Sequence, residues 1–196
     1  MLRELPLTAA CLLALTLSGL LQLVVPGLGE AWILWRGPCL DGQPWRLLSG
    51  HLVHLNATHW VWNALPFALL CAEAERRLGA GRTGLLLLCG AAAVDAVVLS
   101  GLAGVEVYAG ASGVATGLFV AVAAGTLRQA RPTWPPLLGL LGLAAKLVWE
   151  LVTGRYFFLD ACLPGVAVPL AHLAGAGSGL LGLPLARSAD PLRAPA

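Results

Sequence analysis

Ser112 lies close to two glycines, in the sequence Gly110-Ala111-Ser112-Gly113, where a short linker meets an apolar segment. This pattern predicts a helix that begins at Ser112. The free N–H groups and the positive dipole end of such a helix suit a developing oxyanion. Ser112 is therefore a candidate nucleophile. The same residues, with Gly117 four positions after Gly113, also fit a face of small residues that only packs against another helix.

A histidine inside another apolar segment could activate this serine. His172 is followed by Gly175 and Gly179, at spacings that place all three on one helical face. A face of this kind lets a second helix approach closely. An ionisable residue at membrane depth indicates a functional role, and a serine hydroxyl needs an adjacent base to become nucleophilic. The alternative is a packed histidine that bonds to a backbone carbonyl group.

A third segment supplies donors that could bind the oxyanion. His59 and Asn63 are four residues apart, which makes them neighbours on a helix. Together with Gly110 and the N–H of Ser112, they form the predicted oxyanion site. His54 precedes His59 by five residues and is predicted to point elsewhere on the helix, where it orders water or holds the loop.

Three charged residues fall inside predicted membrane segments. Lys146 and Glu150 are four residues apart and can pair on one face, and Asp95 is expected to join them. They form either a structural ion pair or a polar groove for substrate. At the outer depth we place no carboxylate near His172 except Asp160, which lies in the preceding loop. Because no other carboxylate is expected beside the histidine, we predict a Ser–His dyad rather than a triad.

Other chemistries are disfavoured by the sequence. There is no His-Glu-x-x-His motif for zinc, and no second intramembrane aspartate to form a dyad with Asp95. No cofactor and no metal ion are predicted. The sequence has no basic patch interleaved with aromatic residues, so nucleic acid is not an expected partner.

Composition predicts the environment of these residues. The chain of 196 residues is 58% hydrophobic and 11% charged, with a mean hydropathy of +0.81, whereas soluble domains carry about 25% charged residues. We predict an all-α membrane protein with one domain over residues 1–186 and a disordered tail over 187–196. Its six predicted spans cover residues 5–25, 51–72, 83–102, 112–127, 137–152 and 165–185.

The arginines predict how the six spans are oriented. Those on the side of both termini are Arg3, Arg76, Arg77, Arg82, Arg128, Arg131, Arg187 and Arg193, against Arg36, Arg46 and Arg155 on the other side. The positive-inside rule makes the first side cytoplasmic. Ser112 then begins its helix near the outer face. The first apolar segment also suits a signal peptide, but the absence of a small-x-small cleavage site after it favours a retained helix.

Taken together, the motifs resemble those of the rhomboid family of intramembrane serine proteases. The matching segments are Trp45-Arg46, His54-x4-His59-x3-Asn63, Glu75-Arg76-Arg77-Leu78-Gly79-Ala80-Gly81-Arg82, Gly110-Ala111-Ser112-Gly113 and Ala171-His172-x2-Gly175-x3-Gly179. The resemblance implies a six-helix bundle in which Ser112 is the nucleophile and His172 the general base. It also implies supporting roles for His54, Gly113, Gly175 and Gly179.

One position departs from the family pattern. Many rhomboids carry a tyrosine four residues after the serine, stacked on the catalytic histidine, and here that position is Thr116. His172 must then be oriented by another group, for which Tyr108 and Trp62 are the candidates.

Within the family, the chain resembles the rhombosortase branch. The compact six-span form carries this resemblance, with Gly50-His51-Leu52-Val53-His54-Leu55-Asn56 and Lys146-Leu147-Val148-Trp149-Glu150. It implies a multi-pass protein of the bacterial inner membrane. Its substrates would be exported proteins that end in a Gly-Gly motif, a transmembrane helix and a basic tail, cut near the outer membrane–water boundary. The other classes considered are an inactive rhomboid-like binding protein and a small transporter that uses Asp95, Lys146 and Glu150.

Overall fold

The structure, a computed structural model, describes residues 5–128, 134–153 and 168–181. The predicted tail and the loop that carries Asp160 lie outside these residues. The helices of the described residues are α1 (Pro6–Val24), α2 (Leu28–Trp32), α3 (Arg36–Leu40), α4 (Arg46–Ser49), α5 (Ala57–Leu78), α6 (Ala80–Ser100), α7 (Ser112–Leu127), α8 (Pro135–Thr153) and α9 (Val168–Leu181).

Most of the described chain is helical, in agreement with the predicted membrane bundle. Helices α1, α6 and α8 are each long and apolar enough to cross a bilayer. Helix α7 is apolar and 16 residues long. Helix α5 has 22 residues, and its first turns carry the polar side chains of the candidate site.

The second predicted span was wrong at its beginning. Helix α5 begins at Ala57 rather than at residue 51, because Asn56 is extended and its Oδ1 accepts the N–H of His59 at 2.7 Å. This is an N-cap, and asparagine is among the residues that favour it. The helix continues to Leu78, beyond the predicted end of this span at residue 72.

Two short strands lie among the helices and were not predicted. Strand β1 (Leu34–Trp35) pairs antiparallel with β2 (Val107–Tyr108), so that Leu34 is opposite Tyr108. A further hydrogen bond of 2.9 Å joins the N–H of Gly110 to the carbonyl oxygen of Gly50. The first long loop thereby fixes the segment that leads to Ser112.

Helix α7 lies at the centre of the described bundle and packs against α5, α6, α8 and α9. Its contact with α9 is made by glycines. A Cβ atom on Gly175 would overlap the carbonyl oxygen of Gly113, and one on Gly179 would overlap that of Gly117. This is the close approach that the helical spacing of these glycines predicts. It brings the backbones of α7 and α9 into direct contact.

Helix α1 is attached to α5 by polar contacts at two places on α1, in its first turn and near its middle. The carboxylate of Glu75 accepts the N–H groups of Leu7 and Thr8 at 3.0 and 2.8 Å and the Thr8 hydroxyl at 2.6 Å. The indole N–H of Trp60 donates to the carbonyl oxygen of Leu15 at 3.1 Å. Glu75 therefore satisfies first-turn donors of α1 that a helix cannot satisfy itself.

Candidate active site

Ser112 is the first residue of α7 and is partly buried. Its Oγ lies 3.5 Å from the hydroxyl oxygen of Tyr108, which accepts the N–H of Gly113 at 2.9 Å. Tyr108 therefore holds the backbone next to the serine. The N–H of Ser112, as a first-turn group, has no acceptor within its own helix.

Tyr108 is a neutral hydrogen-bonding group in this arrangement. Its side chain is 1% exposed. Burial raises the pKa of the Tyr108 phenol above its usual range, although the hydrogen bonds to Ser112 and Gly113 act in the opposite direction. The phenol keeps its proton at neutral pH and can donate it toward Ser112 Oγ while accepting from Gly113.

Asp95 has a different partner from the one that we predicted. Its Oδ1 lies 3.1 Å from His51 Nε2, and the His51 ring packs against Tyr108 with 5.5 Å between ring centroids. The prediction that Asp95 joins Lys146 and Glu150 was therefore wrong. Asp95 instead supports the loop residues behind Tyr108.

Gly110 brings the predicted oxyanion donors close to Ser112. Its φ of +104° is one that L side chains rarely adopt. A Cβ atom there would lie 3.0 Å from His59 Nε2 and 3.2 Å from Asn63 Oδ1. Both side chains thus approach the backbone two residues before Ser112.

Hydrogen bonds indicate which atoms of this pair can donate. His59 Nδ1 accepts the N–H of Leu55 at 3.3 Å, which assigns the proton of the neutral ring to Nε2. Asn63 Nδ2 donates to the carbonyl oxygen of His59 at 2.9 Å and has a second N–H. Asn63 Oδ1 is buried, and none of the described residues bonds to it. His59 can therefore offer an N–H group near Gly110, whereas the Asn63 atom that approaches Gly110 is its oxygen, which accepts.

His54 contacts His59 rather than pointing away from it. The two rings meet edge to face with centroids 5.1 Å apart, and His54 Nδ1 lies 3.1 Å from the carbonyl oxygen of Leu52. The predicted direction of His54 was wrong because it placed both histidines on one helix, whereas α5 begins only at Ala57. His54 supports the His59 ring.

Stability should depend on pH through His54. Burial lowers the pKa of His54 to about 4, and the charge of a protonated His59 adds to this effect. Because this value lies below the unfolded-state pKa of about 6.5, protonation favours unfolding, and stability present above about pH 6.5 is lost as the pH falls toward 4. We expect His54→Gln to lose less stability between about pH 7.5 and pH 5 than the wild type, by on the order of 2 kcal/mol. Thermal melts of both proteins in detergent measure this, and parallel pH profiles would contradict it.

His172 lies on α9, is buried, and has two charged neighbours from α8. Its Nδ1 is 3.3 Å from Lys146 Nζ and 3.6 Å from Glu150 Oε2. Lys146 and Glu150 form the predicted pair, with 2.7 Å between Nζ and Oε1. The expectation that Asp160 is the one carboxylate near His172 was therefore wrong, since Glu150 is beside the ring.

Ser112 and His172 lie on the two helices that share the glycine contact. The carbonyl oxygen of Ala171 is 3.2 Å from the place where a Gly113 Cβ would stand, so the residues next to the serine and the histidine are in contact. Within the described ranges, no hydrogen bond joins Ser112 to His172. The dyad thus stays a prediction. The charged groups that contact His172 come from α8, whereas Tyr108, which we considered for orienting the ring, contacts Ser112.

A cavity of about 1050 Å³ lies beside this cluster, between α1, α2 and the beginning of α5. Its lining is mainly apolar, and its polar members include Gln22, His54 and Asn56. It therefore approaches the candidate site through His54, next to His59. In the described part of the chain, no group of three or more His, Cys, Asp or Glu side chains is placed to hold a metal ion.

Sequence reasoning missed the partners of several buried polar groups. The contact of Glu150 with His172 is one, and the bond between Tyr108 and Gly113 is another. The signal that could have found Glu150 was its depth in an apolar segment, since a buried carboxylate requires partners for both oxygens.

Comparison with known proteins agrees with these features. The Rhomboid domain family model matches residues 41–188, which include Ser112, His172, His59 and Asn63. A search of curated proteins finds no match. Rhomboid family members are generally intramembrane serine proteases, although some are inactive. The match covers well over half of the chain and confirms the resemblance seen in its motifs, so this integral membrane protein belongs to the rhomboid family.

Proposed function

We propose that this rhomboid is an active intramembrane serine endopeptidase, with Ser112 as the nucleophile and His172 as the general base. The observation that supports this most is the glycine contact between α7 and α9. It holds the helix that carries His172 against the first turn that carries Ser112, while Gly110 keeps His59 and Asn63 on the other side. Three helices thus carry the proposed nucleophile, the proposed base and the proposed donors.

The proposed reaction is acyl transfer through Ser112. His172 Nε2 takes the hydroxyl proton as Ser112 Oγ bonds to the substrate carbonyl carbon, and the carbonyl oxygen becomes an oxyanion. The N–H groups of Ser112, His59 and Asn63 stabilise that oxyanion. His172 then gives its proton to the leaving amine as the peptide bond breaks. Water, activated by His172, hydrolyses the acyl-enzyme and releases Ser112.

The finer assignment is the rhombosortase branch. We infer six spans with both termini cytoplasmic, one domain over residues 1–186, and a place in the bacterial inner membrane. The arginine distribution and the segment from Gly50 to Asn56 support this. The substrates are then exported proteins with a C-terminal Gly-Gly motif, a transmembrane helix and a basic tail, cut near the outer boundary of the bilayer.

Two readouts test the two levels of this proposal. A fluorophosphonate probe should label the wild-type protein in membranes and leave Ser112→Ala unlabelled, since the probe reacts with an activated serine hydroxyl. Equal labelling of both would overturn the protease assignment. Co-expression with a reporter that carries the Gly-Gly tail should yield a shortened reporter with the wild type only. An uncut reporter beside a labelled enzyme would overturn the rhombosortase assignment alone.

The positions of the charged residues argue against the transporter alternative. A transport path built from Asp95, Lys146 and Glu150 needs them along one route. Asp95 instead contacts His51, whereas Lys146 and Glu150 contact each other and His172. The charges are thus divided between two clusters. One lies beside His172, and the other lies beside Tyr108, which contacts Ser112.

A further inference from the structure

The two charged side chains beside His172 both face the same ring nitrogen. Glu150 Oε2 lies 3.6 Å from Nδ1 and Lys146 Nζ lies 3.3 Å from it. We propose that Glu150, held by Lys146, is a positioning residue that keeps the proton of neutral His172 on Nδ1 and so leaves Nε2 free to accept the Ser112 proton. This inference rests on the proposed protease function and adds Glu150 to the expected dyad as a third member, as in a catalytic triad.

The two oxygens of Glu150 have separate roles. Oε1 makes a short contact of 2.7 Å with Lys146, and Oε2 is the oxygen nearest to His172. The Glu150 side chain is 1% exposed and that of Lys146 is 30% exposed. A carboxylate buried to this degree needs a counter-charge. Lys146 supplies it from the more open side and directs Oε2 toward the ring.

The tautomer of His172 follows from the donors and acceptors around Nδ1. An ionised carboxylate can only accept hydrogen bonds, so it favours a proton on Nδ1. An ammonium group can only donate, so Lys146 alone would favour a bare Nδ1 and a proton on Nε2, which could not then act as a base. Lys146 lies closer to Glu150, at 2.7 Å, than to His172, at 3.3 Å. Because an ammonium group carries three N–H donors, its contact with Glu150 does not remove it from His172. The negative charge on Oε2, which faces the same nitrogen at 3.6 Å, favours the tautomer with the proton on Nδ1.

The separation of 3.6 Å between Oε2 and Nδ1 is slightly longer than a hydrogen bond. Catalytic hydrogen bonds are often long before substrate binds and tighten in the reacting complex. As His172 takes the serine proton, the ring becomes positive and its attraction to Glu150 increases. The carboxylate then also stabilises the imidazolium, as the third member of a serine protease triad does.

His172 needs support from α8 because residue 116 is a threonine, which has no aromatic ring to stack on the histidine. Thr116 occupies the position of the family's stacking tyrosine, but its hydroxyl donates to the carbonyl oxygen of Ser112 at 2.8 Å within its own helix. Thr116 therefore does not hold the ring. Lys146 and Glu150 reach the ring from another helix and contact an edge nitrogen instead of the ring face.

The test compares wild type with Glu150→Gln, which keeps the size of the side chain and removes its charge. We expect kcat for a tail-bearing substrate to fall about 100-fold with KM changed by less than about threefold, the scale of a general-base contribution. In ¹⁵N-histidine NMR spectra, the His172 signals, assigned by their loss in His172→Gln, should show a proton on Nδ1 in the wild type and on Nε2 in Glu150→Gln. A merely structural role would lower the yield of folded protein and change neither the tautomer nor kcat per folded molecule.

A second pair of variants separates positioning from folding. Lys146→Met leaves Glu150 buried without its counter-charge and should lower the melting temperature. The double variant Lys146→Met/Glu150→Gln should recover the melting temperature but not kcat. If Glu150→Gln keeps the wild-type kcat and tautomer while the wild type is labelled at Ser112, the inference is overturned and the protease proposal stands. If the wild type is not labelled, the protease proposal fails, and the tautomer comparison still decides whether Glu150 sets the protonation of His172.

Discussion

Gly175→Val should leave little folded protein. A Cβ atom at this position would overlap the carbonyl oxygen of Gly113. That obstacle is backbone, which cannot rotate away as a side chain can, so α9 would have to move off α7. Overpacking of a core costs about 1–3 kcal/mol and occasionally more, and we expect about 3 kcal/mol or more here. The measurement is the melting temperature in detergent, together with the fraction of protein that remains monodisperse.

Gly177→Ala is the matched control for this substitution. Gly177 is on the same helix two residues later, and a Cβ there would meet nothing within 4 Å. Alanine is favoured over glycine in a helix by about 1 kcal/mol, so this variant should melt at or slightly above the wild-type temperature. A Gly175→Val protein that melts together with Gly177→Ala would show that the α7–α9 contact is not close.

His172→Gln should lower the rate of probe labelling and of substrate cleavage by about 1000-fold or more. Glutamine approximates the size of the histidine and can still bond to Lys146 or Glu150, but it cannot accept the serine proton. General-base catalysis contributes about 10²–10⁴-fold, and loss of the base also removes the acid that protonates the leaving amine. Single-turnover labelling of purified protein with the fluorophosphonate probe measures this rate.

Leu173→Ala controls for the effect of a substitution at this point of α9. Leu173 is the next residue and is 43% exposed. We expect labelling within about twofold of wild type, since exposed substitutions usually change stability little. Wild-type labelling of His172→Gln would instead mean that another group, such as His59, is the base for Ser112.

Local sequence patterns were sufficient to predict the arrangement of the residues near Ser112. Helix α7 begins at Ser112, and the spacing of His59 and Asn63 places them together on α5 against Gly110. These features depend on helical period and on the special backbone freedom of glycine, which a sequence displays directly. The beginning of α5 was also visible in principle, since Asn56 is a favourable N-cap residue. It was missed because the residues from 51 onward were assigned to the same helix.

To predict the partners of Glu150 and Asp95, one must know how each helix is rotated about its own axis. In a soluble helix, the apolar stripe marks the buried face. In a membrane, lipid-facing residues are as apolar as core residues. On α6, for example, Leu88 is 62% exposed whereas Val94 is fully buried. The sequence thus shows that Asp95 and Glu150 need partners but not that these are His51 and His172.

The contact of Glu75 with α1 has a consequence for how the protein is made. The acceptors for the first N–H groups of α1 come from a carboxylate 68 residues later in the chain. The ribosome must therefore synthesise the whole of the next long helix before the first one can complete its hydrogen bonds. A chain interrupted before Glu75 would leave the first-turn N–H groups of α1 without this carboxylate acceptor.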